Sequence, residues 1–455
     1  MTYKTLLTYG SKVAQVEQLY YSPVVVLPAE PNVSLSSIYC LLARPDSWPD
    51  DNSPPTPKQD QLYTKNFLKR VFAAKKITSN GISPVIQRID WTSGITYDYY
   101  DDATDMFELD PNGLLIKQFY VKNQYDQVFK CLWNNNQSAS TSEPYFQPGT
   151  YGTNNIFQGS DGYKWKFMFS VDLGSKVKFM DSSWIPVAVG ANTPNPLISN
   201  AGYGDIEIIN VTNGGFGYDT SNSIINISIV GDGTGASGSA VTSNGSITDI
   251  IVTGTGQNYT YANVVISSAL GSGAVAISPV SPIGGHAFDP VSELGCSNVM
   301  LTAEFNGSES GLIPTDITYH QIGILINPTT NSLNPYPANG AIYKTSTDLV
   351  VAPGFGVYTF DETIYQGSSL NDATFTGTML SFDPASNVVR LINTTGTLVI
   401  DGPVFGSNSL TTRTLLSYST PDFVTLSGYL SYIENRSGIQ RSSDGIEQFK
   451  IVLGF

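Results

Sequence analysis

The sequence has few of the residues on which catalysis and redox chemistry usually depend. Its two histidines are His286 and His320, and its three cysteines, Cys40, Cys131 and Cys296, lie far apart and form no CxxC pair. Zinc sites and dithiol redox centres need closely spaced cysteines, and histidine is the usual general base near neutral pH. We therefore expect reduced, buried thiols in a protein that folds in a cytosol, and we assign no catalytic residue, metal site or cofactor.

Charged residues are also scarce, and acidic residues outnumber basic ones. They make up 13% of the chain, with a net charge of −15, whereas ordinary globular chains have about 25%. Binding to nucleic-acid phosphates requires a basic patch, and the densest group of lysines and arginines, within 65–76, fits one solvated helix edge. No run of 18 apolar residues is present, and residues 1–22 lack the apolar core of a secretory signal. We expect neither a nucleic-acid partner nor membrane insertion.

The chain is rich in Gly, Ser, Thr, Asn and Tyr, and its hydrophobic residues recur mostly with a period of two. Helical spacing occurs at 11–21 and 60–72. Strand patterns occur at 36–42, 113–121, 127–133, 163–171, 321–326 and 448–453. The sequence therefore predicts a mainly β fold: a multi-domain antiparallel β-sandwich core with a few short helices and two inserted all-β modules.

Two changes of composition mark the predicted inserts. Residues 201–285 are Gly/Ser-rich and contain a degenerate repeat, VTNGGFGY at 211–218 and VTGTGQNY at 252–259, which we interpret as two β units stacked in one module. Residues 354–413 alternate apolar and polar residues between close turns, which predicts a small meander or barrel. The predicted core consists of 1–200, 286–353 and the C-terminal strands of 414–455, and we expect it to stay folded without residues 201–285.

Two glycine-rich motifs resemble ligand-binding sequences. GGFGYD at 214–219 fits the opening of calcium-binding β-roll repeats, but the second copy has no matching aspartate, so a β-turn is favoured. GTGASG at 233–238 matches GxGxxG, but a dinucleotide site needs a helix after it, and no helical pattern follows. Neither motif predicts a cofactor.

Side chains with catalytic potential are few. Asp98, Asp101, Asp102 and Asp105 form the densest acidic cluster, and paired carboxylates occur in glycosidases and cation sites. Such a run in a tyrosine-rich loop is more often a solvated face or a subunit contact. His286 lies between glycines and an Asp-Pro turn without an evident partner, so we expect it to fix a loop. The chain is predicted not to be an enzyme.

The remaining candidates are large aromatic residues and charged residues that suit a buried core or a subunit interface. The strand at 163–171 places aromatic side chains on one face, and the residues near the C-terminus offer arginine–carboxylate pairs. The candidate interface or structural residues are Trp48, Trp91, Tyr163, Trp165, Phe167, Trp184, Glu434, Arg436 and Arg441.

Several segments together resemble one protein family. Residues 161–169 (DGYKWKFMF) and 181–187 (DSSWIPV) resemble the DGYxWxYxxxI…WIPV signature of the baseplate wedge subunit of T-even-type contractile-tailed phages. Further matches in the same order are RPDSW with prolines at 44–57 (PW…PP.P), IQRIDW at 86–91 (RxDW), VFKCL at 128–132 (VYxCL), YHQIGILINP at 319–328 (RQIxIxxNP) and residues 428–455 (GxxxYxENRxPIxRxxDQxE…F). Ser437 and Gly438 replace the proline step of the last motif, and Gly445 replaces its glutamine.

The resemblance covers roughly 1–195, 286–330 and 428–455 and implies a structural virion protein. Members of this family form homodimers within each wedge and contact other wedge proteins; fibre proteins are a further candidate partner. The implied location is the tail baseplate of a virion assembled in the host cytoplasm. Composition alone also permits a receptor- or carbohydrate-binding tail protein, because Tyr/Asn/Thr-rich β surfaces suit sugar recognition.

Overall fold

The computed structural model describes residues 8–21, 37–148, 150, 155–188, 203–219, 224–331 and 338–455. Strands hold 45% of the chain and helices 9%, in several antiparallel sheets, which confirms the predicted mainly β fold. The chain divides into two compact units, one of Met1–Gln18, Ser83–Met300 and Val452–Phe455 and one of Leu19–Ile82 and Leu301–Ile451. The predicted boundary between residues 200 and 201 lies outside the described residues, and the predicted inserts remain a prediction.

The described residues form four α-helices and 25 strands. The helices are α1 (Tyr9–Tyr21), α2 (Gln61–Lys69), α3 (Leu173–Phe179) and α4 (Pro290–Glu293). The first strands are β1 (Ile38–Ala43), β2 (Val71–Ile77), β3 (Ile82–Gln87), β4 (Tyr120–Lys122), β5 (Gln127–Trp133), β6 (Ile156–Gln158), β7 (Lys164–Ser170), β8 (Trp184–Pro186), β9 (Asn210–Phe216), β10 (Ile225–Gly231), β11 (Thr234–Ser243), β12 (Ser246–Gln257), β13 (Ala262–Ser268) and β14 (Ser272–Ile277). The others are β15 (Asn298–Asn306), β16 (Thr318–Ile326), β17 (Ile342–Lys344), β18 (Thr347–Val351), β19 (Thr363–Gly367), β20 (Ala373–Asp383), β21 (Val388–Gly396), β22 (Pro403–Gly406), β23 (Thr412–Ser419), β24 (Tyr429–Gln440) and β25 (Ile446–Gly454).

The first unit contains a four-stranded antiparallel sheet in the order β4-β5-β7-β6. Every residue of β5 is buried, as are all but the last residue of β7, so both faces of these strands are covered. The predicted strand at 113–121 is wrong over most of its length, because Leu114 and Ile116 are exposed and only Tyr120–Lys122 pairs with β5. An aromatic cluster lies on one face of the sheet: Tyr97, Val121, Phe129, Cys131, Tyr163, Trp165 and Phe167.

The glycine-rich segment of the same unit forms the sheets β12-β11-β10-β13 and β14-β9. The first repeat supplies β9, β10 and β11, and the second supplies β12, β13 and β14. The two copies exchange strands: β9 pairs with β14, β12 pairs with β11, and the middle strands β10 and β13 pair with each other. The repeats are therefore interleaved by an approximately symmetric exchange of strands, where the sequence suggested two stacked units.

The second unit contains a five-stranded sheet in the order β17-β2-β1-β16-β24. Helix α2 packs on it through Phe67 and Leu68, and the Asp60 carboxylate caps the helix by accepting from the Tyr63 N–H at 2.7 Å. The predicted helix at 60–72 therefore ends early. Val71 and the residue after it belong to β2, where pairing with β1 offers better burial than another helical turn.

A closed antiparallel barrel, β18-β21-β20-β19-β22-β23, follows in the second unit. It runs from Thr347 to Ser419, so it extends beyond both ends of the predicted module at 354–413. Its interior is filled by aliphatic and aromatic side chains: Leu349, Val351, Tyr358, Ile364, Phe375, Met379, Val389, Leu391, Leu398, Val404 and Leu415. A filled interior makes this barrel a packed core and not a pore.

Candidate functional site

The aromatic strand β7 is a structural centre of the first unit. Trp165 is fully buried, and its ring stacks on Tyr163 with a centroid distance of 5.5 Å and an interplanar angle of 16°. The Tyr163 hydroxyl donates to the Ser138 carbonyl at 2.6 Å, and burial raises the pKa of Tyr163 to about 12. Asp161 lies in the turn before β7, and its carboxylate accepts from the backbone N–H of Thr141 at 2.7 Å, which joins this turn to an earlier loop. The residues of this motif are therefore used for packing and turn formation.

The opposite face of the same sheet carries buried lysines. Lys164 pairs with Asp249 at 2.9 Å, and Lys166 pairs with Glu207. Both carboxylates belong to the glycine-rich segment, so these pairs fasten that segment to β7. The sequence pattern of 163–171 places these lysines on the face opposite the aromatic side chains and does not identify their partners. Lysine is almost never fully buried without a partner, and its presence inside an otherwise apolar strand was the available signal.

A third buried lysine, Lys130 on β5, forms an ion pair with Glu293 of α4, and both side chains are almost completely shielded from solvent. Burial lowers the pKa of Lys130, while Glu293 acts in the opposite direction. The ammonium nitrogen also lies 4.9 Å from the Tyr100 ring centroid, which is a cation–π contact. In the register of the sheet Lys130 is paired with Lys166, so two cations sit side by side and each has its own carboxylate.

His286 lies beside this pair. Its Nδ1 atom is 3.9 Å from the Glu293 carboxylate, and its ring meets the Tyr100 ring edge-on at 5.1 Å. Burial, with smaller contributions from Lys130 and Lys166, holds the pKa of His286 well below its usual value, so the imidazole is neutral. Its backbone N–H donates to the Glu207 carboxylate at 3.3 Å, a contact that does not involve the imidazole, so the loop-fixing role of the side chain stays a prediction. Because Lys130, Glu293 and His286 are buried, the cluster holds elements of this unit together internally.

In the acidic cluster at Asp98–Asp105, Asp101 and Asp105 stabilise local turns, and Asp98 binds a residue further along the chain. Asp98 accepts from the Gln118 N–H at 2.8 Å, Asp101 accepts from the Thr104 hydroxyl at 2.6 Å, and Asp105 accepts from the Phe107 N–H at 3.0 Å. Desolvation raises the pKa of Asp102. No group of three or more His, Cys, Asp or Glu side chains within the described ranges is arranged to hold a metal ion. The cluster therefore does not present paired free carboxylates.

In the second unit, residues 44–57 form a loop that lies on the edge strand β24. The Trp48 indole N–H donates to the Arg436 carbonyl at 2.8 Å, and the Gly438 N–H donates to the Asp51 carboxylate at 2.9 Å. The Asn435 side chain donates to a carbonyl of the same loop at 2.6 Å and to the Tyr63 hydroxyl at 2.8 Å. Segments nearly 390 residues apart in sequence are thus joined by specific hydrogen bonds.

The predicted charge pairs near the C-terminus are formed in part. Arg436 makes a two-pronged contact with Glu434, at 2.7 and 3.2 Å. Arg441 is buried and pairs with Glu447 at 2.7 Å, and it also donates to the Gly307 carbonyl at 2.7 Å. The Arg436 guanidinium thus pairs with a carboxylate of its own strand, whereas that of Arg441 fixes both a carboxylate and backbone carbonyls within the unit.

The candidate residues do not converge on one site. Trp91 donates to the Ser140 hydroxyl at 3.0 Å and packs at the aromatic cluster of β7, whereas Trp184 packs against Val85, Phe179 and Met300. Four of the candidates, Trp91, Tyr163, Trp165 and Phe167, form one cluster, and Trp184 lies apart from it. Trp48, Arg436 and Glu434 form a second group, and the buried Arg441 stands alone.

The three cysteines are free and buried, and burial raises the pKa of Cys40 and Cys296 to about 12. Such thiols are poor nucleophiles near neutral pH, because the thiolate is the reactive form. Within the described residues, no helix is both long and apolar enough to cross a membrane.

A scan against protein-family models and a search of curated proteins found no match to this chain.

Proposed function

We propose that the protein is a structural subunit of a contractile phage tail, a wedge protein of the baseplate that acts as a homodimer and links neighbouring wedge proteins. Fibre proteins are a further candidate partner, and the location follows as the virion after assembly in the host cytoplasm. The proposed role involves no catalysis.

One observation carries the proposal most strongly: segments that resemble the wedge family also contact one another. In the second unit, the loop at 44–57 lies on the C-terminal motif, and Gln321 of the motif at 319–328 donates to Asn435 at 2.7 Å. In the first unit, the Trp91 N–H donates to the Lys122 carbonyl at 2.9 Å, beside the strands that carry the VFKCL and DGYKWKF motifs. Motifs that meet in space support common descent better than motifs that merely share an order.

The roles of these residues favour a structural function. They fill cores, hold turns and fasten loops, and the buried groups among them are paired or neutral. A protein that transmits force within an assembly needs stable, well-ordered surfaces. Sheets whose side chains form specific hydrogen bonds and ion pairs supply such surfaces.

Sedimentation velocity on the purified full chain tests the oligomeric state. We expect a species of twice the chain mass of 49.0 kDa. A species of three times that mass would favour the alternative receptor- or carbohydrate-binding protein and would contradict the wedge assignment. A monomer at all accessible concentrations would contradict the homodimer.

A further inference from the structure

The edge strand β24 has two halves that differ in how they are covered. It is the last strand of the five-stranded sheet, and among the strands that the structure describes it pairs only with β16. The outer edge of its C-terminal half, from Asn435 to Gly438, is covered by the loop at 44–57 through the hydrogen bonds described above. The protein thus places an extended segment of its own against that half.

The N-terminal half, residues 429–433, borders an open groove of about 840 Å³. The other wall is formed by residues 57–65 at the start of α2, and Leu68 and Leu430 also line the groove. Tyr429 is 72% exposed. Cavities that hold ligands have volumes of about 300–1,000 Å³, so this groove has the size of a binding site.

This half of the edge lacks two of the usual forms of protection, charge and proline, and its one irregularity is a β-bulge at Ser431, where the register with β16 shifts by one residue. Residues 423–433 contain no charged residue and no proline, although edge strands are normally blocked by such residues. The unpaired N–H and C=O groups of an exposed edge strand are a template for pairing with another chain. An edge strand without charged residues or proline, next to a groove of this size, offers a place where the strand of another chain can pair.

The charge of the groove is opposite to that of the protein. Lys58 and Lys65 line it and are exposed, and neither forms an ion pair with a described residue. The acidic residue in the lining, Asp60, is already used as the helix cap. A groove with two free ammonium groups in a chain of net charge −15 attracts carboxylates and repels basic segments.

We propose that this groove binds an extended, acidic segment of a protein partner, which adds a strand beside residues 429–433. The backbone of the segment pairs with β24, and its carboxylates meet Lys58 and Lys65. The groove would accept such a segment in any assembly, so a negative result here would leave the proposed function standing.

The probe is a peptide of about seven residues in which valine and glutamate alternate, with blocked ends, and a matched peptide has lysine in place of glutamate. Fluorescence anisotropy with the full chain measures affinity, and hydrogen exchange locates the contact. We expect the glutamate peptide to bind and to slow amide exchange at 429–433. The double variant K58E/K65E should weaken binding about tenfold or more, while the control K12E/K117E, with the same change of net charge, should bind as the parent does.

Several results would overturn the proposal. They are equal affinity for the two peptides, unchanged affinity in K58E/K65E, slowed exchange at other residues only, and no saturable binding up to about millimolar peptide. Conversion of a dimer into monomers by the peptide would show that a second copy of the chain occupies the groove, and that result would also overturn the assignment to a different partner.

Discussion

At the scale of single residues, the buried pair of Lys130 and Glu293 is the most informative feature. Two charges inside a core cost several kcal/mol of desolvation each, and their mutual attraction offsets that cost only when both are present. The sequence VFKCLW at 128–133 shows a lysine in an apolar strand but does not show its partner, which lies more than 160 residues further along. Only the three-dimensional arrangement identifies the carboxylate.

Removing one member of this pair should be far more damaging than removing both. We expect Lys130→Met to lower the free energy of unfolding by about 3–5 kcal/mol, because the Glu293 carboxylate is then buried alone. The double variant Lys130→Met/Glu293→Leu should recover most of that loss. Urea unfolding of the full chain, followed by tryptophan fluorescence, measures each value.

The matched control is Lys176→Met. Lys176 pairs with Asp126 at 2.6 Å but is 46% exposed, so its loss should cost no more than about 1 kcal/mol. A Lys130→Met variant as stable as this control would contradict the burial argument.

At the scale of elements, the strand exchange in the glycine-rich segment shows what a repeat can and cannot reveal. The two copies are recognisable because the same turn chemistry recurs: Gly215 and Gly256 have φ values of +63° and +65°. The partner of each strand was not predictable, because a period-two pattern specifies which face is buried and not which strand lies alongside. Stacked and interleaved copies have the same local sequence.

The approximate symmetry predicts equal effects at equivalent positions. A Cβ on Gly215 would lie 2.5 Å from the Ala274 backbone nitrogen, and one on Gly256 would lie 2.5 Å from the Ala236 backbone nitrogen. We expect Gly215→Ala and Gly256→Ala to destabilise by similar amounts, above the roughly 1–3 kcal/mol of a strained backbone alone. Thermal unfolding followed by circular dichroism provides the comparison.

Gly273→Ala separates the steric cost from the backbone cost. Gly273 has a φ of +80°, but its nearest neighbour to a new Cβ is 3.8 Å away. This variant should therefore lose only the backbone term. Strongly unequal losses at Gly215 and Gly256 would argue against equivalent environments in the two copies.

At the scale of the whole molecule, the sequence predicted the fold class correctly because period two dominates the chain. It misplaced features that depend on distant contacts. Val71 fits a helical stripe by spacing, but pairing with Ala43 on β1 makes it a strand residue. Tyr163 and Trp165 could be singled out from the sequence because large aromatic side chains are usually placed in a core or an interface. The lysine partners Glu207 and Asp249 were not found, because nothing local identifies them.

Those two partners change what is expected when residues 201–285 are removed. From composition, the segment looked separable from a core that would stay folded without it. In the structure, removal leaves Lys164 and Lys166 without Asp249 and Glu207, and it takes away Asn210, which donates to the Leu132 carbonyl at 3.1 Å. We therefore expect the deletion variant to lose its cooperative thermal transition by circular dichroism. Adding Lys164→Ser and Lys166→Ser to the deletion should restore part of the soluble, folded fraction, because the stranded charges are gone. A deletion variant that melts like the full chain would show that the segment is separable and that water replaces these carboxylates without cost.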